Sequence, residues 1–484
     1  MFRRMRPCAG LLMALASFSG GCRSTSPTPS LTLPSNAMAE SRAGSVLNTA
    51  AVSPVAYHQQ IFESLPQCAA NSVADDPFAG QSELSLEPLI SEVQARNPSL
   101  QAMVAAWRAS AERYPQVVSL EDPMFGFMLA PDALARSGLS GGPGYMLEAS
   151  QKLPWFGKRD LRGQAADAEA SAMRLDVDDA RFKLIEMAKL AYLDYYLVQR
   201  EREINSQNGS IVQDFREIAL AKYRGNLVTE QDVLQSDVEL AELKRRQIEL
   251  ERVHKVAIAR INTLLHRAAN HVLPPPLQGL PAPDLPVTTE VLQQWAMNRR
   301  PDLAALGVRV RAEQAAADLA TKEFCPDVEV VGRYDTIGMD QPYRGQVGLN
   351  VNIPLYRDRR RAAVREAEFK VSQRRAEYEQ RLDDIHNDVE ATAEQAIETR
   401  RIVALYHDTI LPAAEQNVEA AKAAYSAGKL DFLRLIDAQR QLIMLQEKRF
   451  EAQTDYHRRL AELERVVAGP LVDLSAESLP LPHF

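Results

Sequence analysis

The chain has 484 residues, with Lys+Arg 56 against Asp+Glu 64 and a formal net charge of -8. The length sets a soft expectation of about three domains, and 46% apolar with 25% charged residues is enough for a large folded core, although aromatics at 6% are sparse for a compact enzyme. The acidic balance argues against nucleic acid as a partner, the four cysteines are too few for a disulfide scaffold, and no apolar run reaches the ~18 residues of a spanning helix, which excludes a helical integral membrane protein but not a membrane β-barrel.

In chain order, the first feature is an export signal. Arg3, Arg4 and Arg6 precede a short apolar run, Gly10 to Phe18, too short to span a bilayer. Small residues then lead to a cysteine in Ser19-Gly20-Gly21-Cys22, as in bacterial lipoprotein signals. The expectation is removal of residues 1–21 and a lipid anchor on Cys22. Ser19 stands where such signals usually carry Leu, so ordinary cleavage nearby, with Cys22 unmodified, is the alternative. Residues 22–83 are rich in Ser, Pro, Thr and Ala without a sustained period, and read as a lipid-anchored N-terminal arm.

Beyond the arm the chain repeats itself. Arg96-Asn97-Pro98-Ser99-Leu100 recurs as Arg299-Arg300-Pro301-Asp302-Leu303, and Ala221-Lys222-Tyr223 recurs as Ala423-Ala424-Tyr425. Order and spacing persist at an offset of about 200 residues, the mark of a duplicated unit. The units are 84–273 and 288–469, joined by a Pro-rich linker at 274–287 and followed by a tail, 470–484. Each reads as a helix, a β-hairpin (121–153 and 327–354) and two long helices. The first helices cover 84–115 and 288–324; the long ones cover 158–223 and 227–268, then 358–424 and 430–468, with Pro412 predicting a kink. A helix of ~65 residues is ~100 Å long, too long for an ordinary globule. Leu240, Leu243, Gln247, Leu250, His254, Ala257, Ile261 and Leu264 form a heptad seam, and Leu227, Leu234, Ala241 and Ile248 form a second line. Two seams imply two neighbours, as in a cylinder of helices; a long antiparallel coiled coil is the alternative.

The strand segments alternate apolar with polar residues at 145–152, 328–335 and 347–353, while 123–130 is more evenly apolar. This period fits strands with lipid on one side and water on the other, and equally a half-buried sheet of a soluble protein. In hydrocarbon an open sheet edge is not tolerated, and four strands cannot close a barrel. A membrane reading therefore requires an oligomer, and three chains supply twelve strands.

These features together resemble the outer-membrane efflux protein family, the TolC-like channels. The resemblance covers about 84–468. It rests on the duplicated unit, the two hairpins, the stretch Lys152-Leu153-Pro154-Trp155-Phe156-Gly157-Lys158-Arg159, and the turns Tyr223-Arg224-Gly225-Asn226 and Tyr425-Ser426-Ala427-Gly428 with Asp232 and Asp437 beyond them. It implies an α+β membrane protein: long α-helices forming a helical barrel, plus four strands per chain in a trimeric 12-stranded β-barrel. It also implies a homotrimer in the outer membrane with a large periplasmic part, a periplasmic adaptor (membrane fusion) protein and an inner-membrane pump as partners. The lipid anchor and the 152–159 stretch look most like the branch serving resistance-nodulation-division pumps, heavy-metal exporters included. The function implied is a passive gated conduit of a tripartite efflux system for small toxic compounds or metal cations. Alternatives are the channel of a type I protein secretion system and a periplasmic coiled-coil structural lipoprotein.

The resemblance places a gate at the helix-hairpin turns. Gly428 supplies the positive φ such a turn needs, and Asn226 holds that place in the first copy. Tyr425 and Asp437 are gate candidates by resemblance, with Asp232 and Arg434 beside them; three copies of an inward acid would make a charged ring. Arg434 stands where the family often has an acid and would neutralise Asp437; a plain solvated role for Asp437 is the alternative. Tyr223, Arg224, Gly225, Asn226, Gly428, Lys429 and Leu430 are candidates for adaptor docking, or simply exposed turn residues. His254 reads as a packed or lumen-facing histidine. No metal-ligand cluster, nucleotide loop or catalytic constellation stands out, so neither cofactor nor enzyme activity is expected. Whether Cys68 and Cys325 pair is left open.

Overall fold

The computed structural model describes residues 78, 80–130, 144–281, 283, 288–336 and 345–471. The signal, Cys22, the arm up to residue 77, Cys68 and the tail beyond 471 lie outside the described residues, and so do the expectations placed on them.

Each repeat opens with helices broken at a proline. The first has α1 (Leu86–Arg96), α2 (Pro98–Ala111) and α3 (Arg113–Val118), where the sequence suggested one helix over 84–115. Asn97 ends α1 and caps α2, its side chain accepting from the Ser99 N–H, and Pro98 takes the first helical position, where a missing N–H costs nothing. Strands β1 (Met124–Ala130) and β2 (Gly144–Leu153) follow, then α4 (Lys158–Arg224) and α5 (Glu230–Leu264). The second repeat has α6 (Thr289–Arg299), α7 (Pro301–Lys322), β3 (Val328–Asp335), β4 (Gly345–Val351) and α8 (Arg357–Leu405). A π turn (Tyr406–Ile410) separates α8 from α9 (Leu411–Ser426), and α10 (Phe432–Val467) completes it. The π turn lies just before Pro412, the expected point of disturbance. At ~1.5 Å per residue the 67 residues of α4 extend about 100 Å.

Equivalent residues fill equivalent cores. Leu89, Leu100 and Ile261 lie in one apolar cluster with Tyr192 and Leu265. Their counterparts Leu292, Leu303 and Leu463 lie in another with Trp295 and Val389. The first heptad seam is buried at Leu250, Ala257 and Ile261. The second line is not: Leu234 and Ile248 stand 55% and 69% exposed, so α5 carries an apolar stripe with no partner among the described residues.

The four strands form one antiparallel sheet in the order β1-β2-β3-β4. The two expected hairpins are thus joined by pairing of β2 with β3, from Met146↔Asp335 to Leu153↔Val328. Among the described residues β1 and β4 are the edges, each paired on one side only. Register sorts the side chains onto two faces. Phe125, Phe127, Leu147, Val330, Val347 and Leu349 share one; Glu148, Arg333, Glu329 and Asn350 share the other. On the polar face Arg333 bonds Glu148 at 2.6 Å and Asn350 donates to Glu329 at 3.1 Å. On the apolar face Phe125 is 81% and Val347 85% exposed. Among the described residues the main contacts of the strands are with one another, and no helix packs broadly on the sheet. No helix among the described residues is long and apolar enough to cross a membrane.

The sheet joins the helices through a buried ion pair. Lys158, the first residue of α4, is 1% exposed. Its Nζ donates to Asp327 Oδ1 at 2.8 Å and to the Cys325 carbonyl at 3.1 Å, and Glu323 lies 3.5 Å away. Asp327 also accepts from the Trp155 N–H at 2.9 Å, so one carboxylate ties the start of β3 to the start of α4. A buried charge whose partner is removed is costly. Asp327→Asn is expected to destabilise the fold by about 2 kcal/mol and Lys158→Met by less, because a half-exposed Asp327 rehydrates. Thermal unfolding in detergent checks this; equal stability of Asp327→Asn and wild type would contradict it.

Candidate functional site

The two hairpin turns are built alike. In the first, the Asn226 N–H donates to the Tyr223 carbonyl at 2.9 Å and the Leu227 N–H to Lys222 at 2.9 Å; in the second, Gly428 donates to Tyr425 at 3.0 Å and Lys429 to Ala424 at 2.9 Å. This closure of a helix end needs one left-handed residue. Asn226 has φ 54° and Gly428 φ 73°, as the sequence indicates. Asp431 then caps α10, accepting from the Arg434 N–H at 3.0 Å.

The helices below these turns clasp one another. Tyr425, at the end of α9, is 2% exposed, inside a cluster of Phe215, Ala219, Val233, Phe432, Leu435 and Ile436. Its hydroxyl points at Asp232 Oδ2 of α5 at 3.5 Å, the outer limit of a hydrogen bond. Lys222 of α4 donates to the Tyr425 carbonyl, with its Nζ 4.1 Å from the centroid of the Tyr425 ring, a cation–π arrangement. Deeper, Arg440 of α10 donates to the buried Glu239 of α5 at 2.8 Å, and Gln439 donates to Asn208 of α4 at 2.9 Å.

Burial shifts the acids of the clasp. The Tyr425 phenol is pushed up to about 12, by burial first and then by the negative charge and hydrogen bond of Asp232. Asp232 is held above its ordinary value by burial, with the Tyr425 hydrogen bond and Lys222 pulling the other way and Asp431 adding to the rise. His254, half-buried, has its ring 5.4 Å from that of Tyr195 and is lowered by burial and by Arg202.

Of the residues singled out in the sequence, Tyr425 and Asp232 come together. Asp437 and Arg434 are both exposed, and the charge beside Asp437 is Arg440 at 3.6 Å, one turn along, in place of the anticipated Arg434. Tyr223, Arg224, Gly225, Asn226, Gly428 and Lys429 are exposed at the turns, and Leu430 packs against the tip cluster. Lys222, Phe432, Arg440, Glu239, Asn208 and Gln439 were not foreseen. A signal existed for Lys222: the repeats differ there, with Ala424 at the matching place. The Cys325 carbonyl belongs to the Lys158 junction. Among the described residues no group of His, Cys, Asp or Glu is placed to hold a metal ion.

The raised Asp232 takes up a proton more readily in the clasped tip than in a released one. Its contribution to the clasp is full below the ordinary carboxylate range and is lost as pH rises through its elevated value. Acidification through that range is expected to tighten the tip, and Asp232→Asn to remove the dependence. Tyr425→Phe, which deletes the hydroxyl alone, is expected to weaken the clasp by about 1 kcal/mol. Distances between spin labels on the two turns measure both. A pH-independent separation in the wild type contradicts the first expectation, and an unchanged one in Tyr425→Phe the second.

Residues 292–469 match the model of the family described as outer membrane efflux protein. No curated protein matches the sequence. Among solved structures, the fold is similar to CusC (TM-score 0.70, 15% identity, 80% of this chain and 92% of that one). It is also similar to the outer membrane protein VceC of Vibrio cholerae (TM-score 0.66, 17% identity, 80% and 96%) and to the outer membrane channel MtrE of Neisseria gonorrhoeae in its open state (TM-score 0.65, 18% identity, 80% and 89%). The second repeat thus matches the outer membrane efflux protein family in sequence, and the chain has the fold of the TolC-like channels.

Proposed function

We propose that this chain is the outer-membrane component of a tripartite efflux system: a homotrimeric, passive, gated conduit, lipid-anchored through Cys22, that carries small toxic compounds or metal cations from periplasm to exterior. The observation that carries this reading is the sheet, with one apolar exposed face, one charged face, both edges open and no helix broadly packed behind it. An apolar face of this kind suits lipid, and the open edges then require further strands. Two copies would supply eight strands, a barrel just filled by its own side chains; three supply twelve and leave a lumen in which Arg333, Glu148 and Glu329 stay in water.

The dimensions agree. β2 has ten residues, and at ~3.3 Å each with a tilt of about 40° it rises roughly 25 Å, the height of an outer-membrane apolar band. Tyr145 and Tyr334 lie together at one end, with ring centroids 6.3 Å apart; exposed Phe156 and Tyr356 lie at the other. This is the placement of interfacial aromatic girdles. The unpartnered stripe Leu227, Leu234, Ala241 and Ile248 on α5 suits contact with a second copy, in a helical barrel crossing the periplasm. The clasp of Tyr425, Asp232 and Lys222 keeps the periplasmic tip shut, with Asp437 and Arg434 on the exposed side of α10. The exposed turns offer an adaptor its docking surface, and the inner-membrane partner is a resistance-nodulation-division pump that supplies the energy. A structural coiled-coil lipoprotein would have no use for the apolar sheet.

Purified chain in detergent is expected to run as a trimer and to conduct in planar bilayers, with Tyr425→Phe combined with Asp437→Ala raising basal conductance. A soluble monomer once Cys22 is replaced, with no conductance, would overturn the reading. Val347→Arg on the apolar face is expected to cost about 2–4 kcal/mol of trimer stability, and Gln346→Arg on the polar face little. Heat dissociation of the trimer compares them, and equal losses would contradict the assignment of faces.

A further inference from the structure

The first long helix of each repeat is weakened at an equivalent position. In the second repeat the weak point is the π turn Tyr406–Ile410. Pro412 has no N–H for the carbonyl four residues back, and its ring crowds that carbonyl aside. The Leu411 N–H reaches five residues back, to Tyr406, widening the turn. In the first repeat α4 runs unbroken, but it carries Gly209 and Ser210 where the second repeat has Leu411 and Pro412. A Cβ at Gly209 would meet nothing within 4 Å, and Gly209 is not among the glycines with positive φ. Neither packing nor backbone conformation calls for glycine there, in a helix interior where glycine is strongly disfavoured. Proline, a π turn and a Gly–Ser pair are the recognised causes of helix bending, and the duplication places them at equivalent positions of the two repeats.

The surroundings leave room to bend. A crevice opens between α4 and α5 beside Gly209, bounded also by Ser206 and Leu243. Another opens between the π turn and α10, bounded by Val403, His407 and Arg449. Next to Gly209 the buried pair Asn208–Gln439 ties α4 to α10, a fixed point about which the two hairpins can turn. Beyond the π turn α9 has 16 residues, about 24 Å, and the clasp of Tyr425, Asp232 and Lys222 lies wholly within the tip segments.

We infer that Gly209 and Pro412 are paired hinges, one in each repeat: when the clasp releases, the tip segments between them and the turns bend outward while the rest of the helices hold their places. The inference deepens the gated-conduit reading and rests on it. In that arrangement the clasp sets how often the tip is released, and the hinge sets whether release becomes opening.

The test is the double variant Gly209→Ala/Pro412→Ala of the full lipidated chain. Both changes favour continuous helix, and the open space at Gly209 accepts the new methyl. Amide exchange over 204–213 and 404–413 reports the stiffening, and single-channel recordings in planar bilayers report opening. The hinge predicts slowed exchange in both segments and an opening frequency reduced roughly tenfold against wild type, with the same reduction in a Tyr425→Phe background. A double variant that opens as often as its parent, or whose exchange is not slowed, overturns the hinge while leaving the conduit intact. A wild type that never conducts overturns the conduit reading, and the hinge with it.

Discussion

A backbone N–H or carbonyl in hydrocarbon has no water to bond, and the proposed conduit depends on how that constraint is met. The strands present Phe125, Phe127, Val347 and Leu349 outward with nothing packed on them, yet β1 and β4 each leave one side unpaired. A lone chain cannot satisfy both facts in a bilayer. In the proposed trimer edge pairing between copies does, with the polar face turned inward, and Lys158 with Asp327 holds the strands to the helices.

Duplication supplies the frame, and departures from it supply the specificity. Tyr425 and Tyr223 are the same position in two copies, but one is 2% and the other 40% exposed. Among the residues that differ around them are Asp232 against Arg434, Lys222 against Ala424 and Asn226 against Gly428. The last pair is interchangeable, since both tolerate positive φ. The first two are not, because a desolvated phenol gains from a carboxylate acceptor and an ammonium over its ring. The two hairpins therefore share a shape and differ in chemistry at their ends.

Much of this was legible without coordinates. The approximate extents of the hairpin helices, the duplication, the strands and the left-handed turn residues are local properties, written in period and in single residue types. Pairing of β2 with β3 was not legible, because alternation tells a strand its faces and not its neighbour. The break in the first helix at Asn97 fell where Pro98 allowed it, but Pro98 alone did not say whether the helix would bend or end. Pro412 announced a disturbance, and only the backbone showed its form as a π turn. At the candidate site, Tyr425 and Asp232 could be named, whereas Arg440 opposite Glu239 and Gln439 opposite Asn208 depend on the stagger of helices far apart in sequence. Asp437 found Arg440 before Arg434 because a helix offers partners three residues away in both directions.

The most direct measurement is disulfide trapping across the two open edges. Cysteines placed in pairs on β1 and β4, with Cys68 and Cys325 replaced by Ser, are oxidised in native membranes and resolved without reductant. Edge pairing between copies predicts covalent dimers and trimers that collapse to monomer on reduction, for pairs in one antiparallel register and not for pairs shifted from it. A chain that stays monomeric at every pairing of β1 with β4 contradicts the account.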